Sequence, residues 1–337
     1  WCKTMPEHGH SPAVAKQIEA LGCKVVLLTD EKGTLHLGVL LKAIVSAWRN
    51  RPDVFFALAM RHLSLVLAPL VAARNSIYYH ITHDLNPGTI KRLNLYGKVF
   101  KQMVFICPAT YDEFPGAQTN PQFTWVPQSS EIPVRQPEKL SSERNERLAT
   151  IDQPIRYGLL GRLTAEKGSA AMIGYSDDPT AARCELHVAG SGPYAEAFKE
   201  REKMSGKVKV RFHGAYDPSV REAFLRTFFA GIDYLLVPSQ DEWETLSMAT
   251  LECLQHGVPA VLCRTGGLKS FGQAELGPAP DEVVRLIDPK DLQAVLNALA
   301  VRPRRPQAVG ECRDYYEKFF SDKVVMQRWL EVLRKHS

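Results

Sequence analysis

Two carboxylates eight positions apart, Glu244 and Glu252, lie in the stretch PSQDEWETLSMATLE (238–252). Glu244 falls in a loop or at the very start of a helix, and Glu252 about two turns along it. Eight residues at ~3.6 per turn come back to nearly the same face, so both carboxylates can line one cleft. An ionised carboxylate accepts two hydrogen bonds side by side, which suits a ribose or sugar diol. The amides of Thr245, Leu246 and Ser247 at the helix start suit phosphate or sugar oxygens, although a capped surface helix with an acidic first turn has the same look. In GRLTAEKG (161–168), Arg162 and Lys167 stand five apart around a strand-to-helix turn. Two such cations can hold a diphosphate without a metal, or can simply be solvated. AGSGPYA (189–195) imitates a dinucleotide fingerprint. The strand after it, VKVRFHG, ends in His213-Gly214 rather than in an acidic residue for a ribose, so a tight turn is the better reading. Finally, PAVLCRTGG (259–267) ends a buried strand in a double glycine that permits close backbone approach.

Each of these stretches follows a strand-like run. In the second half the expected strands are 156–160, 184–189, 208–213, 234–237 and 260–263. They alternate with helices at 169–174, 194–204, 219–230, 246–256 and 291–299. The first half has the same rhythm, with strands at 23–29, 53–58, 76–82, 104–107 and 123–126 and helices at 11–21, 35–48, 63–73 and 90–103. Short β-branched runs alternating with helical spacing imply parallel sheets covered on both faces. In such sheets ligands sit at the carboxyl ends of the strands, where the four stretches lie. The polar segment 128–153 reads as a linker, and 315–333 as a last amphipathic, aromatic-rich helix.

The 337 residues (37.7 kDa) suit two domains, and 45% hydrophobic with 23% charged residues excludes a disordered chain. Seven scattered cysteines without C-x-x-C spacing argue against a disulfide scaffold or a zinc ribbon and for a reducing, cytoplasmic compartment. A net charge of +5 is too small to argue for nucleic acid. The most apolar stretch, 54–73, is broken by Arg61-His62 and Pro69, so no membrane span is expected, and the polar start shows no signal peptide.

Taken in order, G-R-x4-K-G, G-x-G-P, F-x-G, P-S with E-x7-E, H-G-V-P-A-V and G-G resemble the GT-B glycosyltransferases, and within them the large retaining family 4. The likeness is strongest from Tyr157 to Gly267; the first half joins it through its rhythm and His83-Asp84 after SIYYHIT. The resemblance implies two doubly wound α/β Rossmann-like domains facing across a cleft. The expected division is an acceptor-side domain with linker at 1–150, a nucleotide-sugar domain at 151–314, and a helix at 315–337 crossing back.

It also implies a retaining, metal-independent transfer of a hexose-type sugar from a UDP-, GDP- or ADP-sugar to a glycan or lipid-linked acceptor, in surface polysaccharide or glycolipid synthesis. No cofactor or metal is expected. Arg162 and Lys167 would hold the donor diphosphate, Glu252 the ribose and Glu244 the transferred sugar, with the amides of Thr245, Leu246 and Ser247 beside them. His83 would lie near the donor sugar; His80, two positions earlier, is its rival and faces the side of Thr82. Gly9, in HGHS, stands where the family has a glycine-rich first loop. Ser247 replaces a usual glycine, and 268–280 departs most from the pattern. A relative normally begins with a strand before the first loop, so this chain starts about one strand short or lacks that strand. Domain closure about 128–153 would exclude water. The 90–103 helix, with Lys91, Arg92, Lys98 and Lys101, invites peripheral contact with an anionic inner membrane face, or simply packs on its own sheet. Other functions open to this fold are a nucleotide-sugar epimerase and an inactive sugar-nucleotide-binding protein.

Overall fold

The computed structural model describes residues 75–130, 154–216, 218–301 and 308–334, strand β1 (Val54–Leu58) and the helical positions 41, 45, 48 and 49. Gly9, the elements expected at 11–29 and 63–73, most of 35–48 and positions 131–153 of the expected linker lie outside these residues. The described chain groups into two compact units. One takes the residues up to Tyr78 with Leu95–Lys101, and the other takes Tyr79–Asn94 and Gln102–Ser337.

In the first unit, β1 lies beside the start of β2 (Asn75–His80). Tyr78 on β2 packs against Tyr96 and Phe100, with ring centroids 4.9 and 5.5 Å away. The helix expected at 90–103 is shorter and earlier: α1 is Pro87–Tyr96. Asn86 caps it, its Oδ1 accepting from Thr89 N at 2.9 Å, with Pro87 in first position. It gives out before Gly97, and the chain then enters strand β3 (Gln102–Phe105), all four residues buried. Lys98 and Lys101 therefore lie beyond the helix, and the four cations do not form one helical stripe. Leu93, Tyr96, Phe100 and Met103 are all buried. An apolar run that can enter a sheet interior overrides an amphipathic spacing read from one segment.

In the second unit β3 pairs in parallel with β4 (Phe123–Trp125), and Ile106 N donates to His80 O at the end of β2 (3.0 Å). Between β3 and β4 lies a six-residue helix, α2 (Pro108–Glu113), that is not among the expected elements. The larger sheet of this unit holds β5 (Ile155–Leu160), β6 (Cys184–Ala189), β7 (Val208–Gly214), β8 (Tyr234–Val237), β9 (Ala260–Cys263) and β10 (Val284–Ile287). All pairs are parallel and the order is β10-β9-β8-β5-β6-β7. Helices α3 (Ser169–Asp177), α4 (Ala195–Glu202), α5 (Arg221–Gly231), α6 (Met248–Gln255) and α7 (Leu292–Ala300) fall between and after the strands. Side chains alternate into two cores: Leu235, Val237, Ala260 and Leu262 into one, and Leu236, Val261 and Cys263 into the other. Burial on both faces explains why these strands are continuous apolar runs.

The order is that of a doubly wound dinucleotide-type sheet, and it reverses between β5 and β8. The G-x-G-P turn after β6 serves packing. Gly190 N donates to Gly214 O (2.8 Å), and a Cβ on Gly190 would stand 1.8 Å from Gly161 O.

The expected last helix is two, α8 (Ala308–Phe319) and α9 (Asp322–Arg334). Phe320 is wholly buried against Phe271 and Tyr316. Ser321 Oγ turns back to Glu317 O (2.8 Å) while Ser321 O starts α9 by accepting from Val325 N (3.0 Å). The break lets α9 take another direction, with Trp329 edge-on to Tyr79 (5.0 Å) and Arg328 over the Trp125 ring (3.9 Å). No helix among the described residues is long and apolar enough to cross a membrane.

Burial pushes both His80 and His256 down to about 4 from an ordinary 6.5. Between those values the unfolded chain binds more protons than the folded one, so stability is full above about pH 6.5 and is lost as pH falls toward 4. The loss is on the order of 3 kcal/mol per histidine, and urea midpoints at pH 7 and pH 4.5 should differ accordingly; equal midpoints would refute it. Ser247, just before α6, has φ 55°, and no other non-glycine among the described residues has a positive φ. Ser247→Gly should relieve that strain and raise stability by about 1 kcal/mol in the same urea titration.

Candidate functional site

The reversal between β5 and β8 leaves the loops that follow these strands, 161–168 and 238–247, side by side. Backbone contacts hold them together. Glu166 O accepts from Gln240 N (2.9 Å) and from Ser239 Oγ (3.2 Å). Gly168, with φ 78°, lies so close that a Cβ there would come within 2.1 Å of Pro238 O. This brings Lys167 Nζ onto Glu244 Oε2 across 77 positions of sequence. Both side chains are largely buried, so the pair compensates charges that would be costly alone.

The double glycine supports the acidic loop from below. Gly267 N donates to Glu244 O (2.7 Å) and Gly266 N to Glu242 Oε2 (3.2 Å). A Cβ on Gly267 would stand 2.9 Å from both Thr245 Cα and Cys107 Sγ. Helix α6 begins at Met248 with Ser247 as its N-cap, Ser247 O accepting from Leu251 N (3.2 Å), so Thr245 and Leu246 precede the helix. The left-handed backbone at Ser247 separates the loop from the helix, and the helical repeat therefore does not set the relation of Glu244 to Glu252. Leu246 is wholly buried, which leaves its backbone amide as the group able to meet a ligand.

Glu252 is 2% exposed on α6, and its Oε1 accepts from Arg221 Nη2 at the start of α5. Arg221 is a site residue without a sequence expectation; it follows the polar turn after β7 and belongs to no quoted motif. Arg162 is set apart from the buried groups, 65% exposed with Glu166 at 3.8 Å. Arg162 and Lys167 are thus five apart in sequence and in different surroundings.

His83, in the loop after β2, is 4% exposed. Its Nδ1 lies 2.8 Å from Thr110 Oγ1 and its Nε2 3.1 Å from Glu113 Oε2, both on α2. Burial holds its pKa below the usual imidazole value, against the opposing pull of Glu113. Thr110 Oγ1 also meets Cys107 Sγ at 3.0 Å. Glu113 Oε1 continues to Lys269 Nζ (3.2 Å), and Lys269 to Glu242 Oε2 (3.5 Å). The 3-10 turn Gly266–Gly272 carries Lys269 and accepts α2, with Ala109 N donating to Ser270 Oγ (3.0 Å). His83 is therefore joined to the acidic loop by a chain of partners, whereas His80 contacts Thr82 Oγ1 (3.4 Å) and the Phe105 ring (5.9 Å). Sequence reasoning missed Glu113 and Lys269, because α2 carries no recognisable pattern and 268–280 is where the chain departs from the resemblance.

Residues 155–301 match the family model described as glycosyl transferases group 1. No curated protein matches the sequence. Among solved structures, Anabaena HepE in complex with UDP superposes at a TM-score of 0.66 and 16% identity, over 96% of this chain and 89% of that one. The apo form of the lipopolysaccharide outer core galactosyltransferase WaaB gives 0.65 and 14%, over 88% and 79%. A glycosyltransferase from Rickettsia africae ESF-5 gives 0.66 and 12%, over 97% and 88%. The chain shares the GT-B fold of these structures, two Rossmann-like domains, and over residues 155–301 it is similar to the group 1 glycosyltransferases.

Proposed function

We propose that the protein is a retaining, metal-independent hexosyltransferase using a nucleoside diphosphate sugar. The observation that carries this reading is the meeting of Lys167 and Glu244 at the strand-order reversal. A cation and a carboxylate in contact there put a diphosphate and the first carbon of its sugar next to each other. As the glycosidic bond to the diphosphate breaks, negative charge grows on the leaving oxygen, where Lys167 and Arg162 stabilise it. Positive charge grows on the sugar ring, where Glu244 faces it. Two cations supply the charge that a metal provides elsewhere. Glu252, fixed by Arg221, takes the ribose hydroxyls, the amides of Thr245, Leu246 and Ser247 take phosphate or sugar oxygens, and His83 serves the sugar end of the site. UDP is the first base to test, since HepE is seen in complexes with UDP and with UDP-glucose.

The acceptor, a glycan or lipid-linked glycan of surface polysaccharide or glycolipid synthesis, belongs on the 1–150 side, with the donor on 151–314 and the 315–337 segment returning. The protein works in the cytoplasm. Leu93, Tyr96, Phe100 and Met103 are spent inside the protein, so contact with an anionic inner membrane face would rest on the exposed Lys91, Lys98 and Lys101 with Leu95 among them.

A thermal-shift panel of UDP-, GDP- and ADP-glucose, followed by release of nucleoside diphosphate with and without acceptor, tests this. Glu244→Gln and Lys167→Met should each lower kcat by about 10²–10³-fold, Glu252→Ala should chiefly raise the donor KM, and EDTA should leave the rate unchanged. A product sugar altered without an acceptor indicates an epimerase; tight binding of a nucleotide sugar with no turnover of any kind indicates an inactive binding protein.

A further inference from the structure

His83 cannot itself offer a hydrogen bond to a substrate, because it is 4% exposed and both ring nitrogens are engaged within the protein. The chain of partners has one consistent order of protons. His83 Nε2–H donates to Glu113, Thr110 Oγ–H donates to Nδ1, and Cys107 S–H donates to Thr110 Oγ. Glu113 is different: its side chain is 42% exposed, and each oxygen has one protein partner, His83 on Oε2 and Lys269 on Oε1. A carboxylate has about four acceptor positions, so two remain for a ligand. Lys269 joins Glu113 to Glu242, two residues before Glu244, and Gly267 touches both the 242–245 loop and Cys107. The corner is rigid as well, since Ala109 N and Asp112 of α2 are tied to Ser270 and Gln273 of the 3-10 turn at 3.0 and 2.9 Å.

We propose that Glu113 is the group of this corner that meets the substrate, accepting a hydrogen bond from a sugar hydroxyl, and that His83 and Lys269 are positioning residues for it. The inference rests on the transferase reading and adds to it a residue that discriminates between sugars. Held on one side by a neutral imidazole N–H and on the other by an ammonium group, the carboxylate is oriented without needing the ligand to order it. The hydroxyl belongs either to the transferred sugar or to the acceptor; the chemistry is the same, and the assay separates the two.

The test compares wild type, Glu113→Gln and Lys269→Met with UDP-glucose, its monodeoxy analogues, and deoxy forms of a working acceptor. Circular dichroism and thermal midpoints confirm that the variants fold. Glu113→Gln is expected to lower kcat/KM about tenfold or more, and Lys269→Met to lower it less. For one deoxy analogue, and only one, wild type and Glu113→Gln should become equal, because the partner of Glu113 is missing. If that analogue is a donor, the loss also appears in donor hydrolysis without acceptor; if it is an acceptor, hydrolysis is untouched and the acceptor KM rises. A purely structural Glu113 would instead give the same loss with every analogue, or none, and either result overturns the inference. Wild type that turns over no nucleotide sugar in the panel overturns the transferase reading and the inference with it; active wild type with equally active Glu113→Gln overturns the inference alone.

Discussion

A parallel sheet that starts in the middle and is wound first one way and then the other has one place where adjacent strands send their chains apart. Here it lies between β5 and β8. The chain after β5 goes on to β6 on one side, and the chain after β8 to β9 on the other. Lys167 comes from one loop and Glu244 from the other, and the glycines at 168, 266 and 267 let backbones approach where any side chain would collide. The Lys167–Glu244 contact is thus a product of strand order, and it would not form if β8 were placed elsewhere in the sheet.

Placing charge in such a spot carries a desolvation cost, and the chain meets it by pairing. Glu244 is 10% exposed and held by Lys167; Glu252 is 2% exposed and held by Arg221. A buried carboxylate without its cation would be protonated or would destabilise the fold. The same pairing has a functional side. Each carboxylate is fixed in direction by its cation, as the proposed contacts with a sugar nucleotide require. Strain is taken up nearby, at Ser247, where a serine adopts a backbone conformation that favours glycine.

Five of the six strands of the larger sheet were legible to within one residue at each end. Short apolar runs such as Ala260–Cys263 admit little else, and the turns between several of the strands are marked by glycine. The ordered motifs also single out Lys167 and Glu244, which the structure brings into contact. The helical repeat does not set the relation of Glu244 to Glu252, because α6 starts after Ser247, and strand order brings Glu244 to Lys167. The features that stayed hidden were of two kinds. Short elements such as α2 and β10 have no period of their own and exist because the surrounding core accepts them. The 90–103 segment misled because its Leu93, Tyr96, Phe100 and Met103 satisfy a helical spacing while the last two belong to a turn and a strand. Partners such as Arg221, Glu113 and Lys269 are charged residues in ordinary sequence surroundings; only three-dimensional placement distinguishes them from solvated neighbours.

Lys269 shows how a departure from a family pattern can be informative. Residues 268–280 lack the acidic residue that the resemblance leads one to expect after the double glycine, and the motifs offer no role for the residues that stand there. In the structure this segment opens as a 3-10 turn whose Ser270 and Gln273 seize α2, while Lys269 lies between Glu113 and Glu242. With a carboxylate at 269 in place of the lysine, three acidic groups would crowd one corner and at least one would leave or take up a proton. The lysine bridges Glu113 and Glu242 with its ammonium group, and Glu113 in turn holds the imidazole of His83 by its Nε2. His83, Glu113, Lys269 and Glu242 are therefore members of a single charge arrangement, carried in part by segments 156 residues apart in sequence.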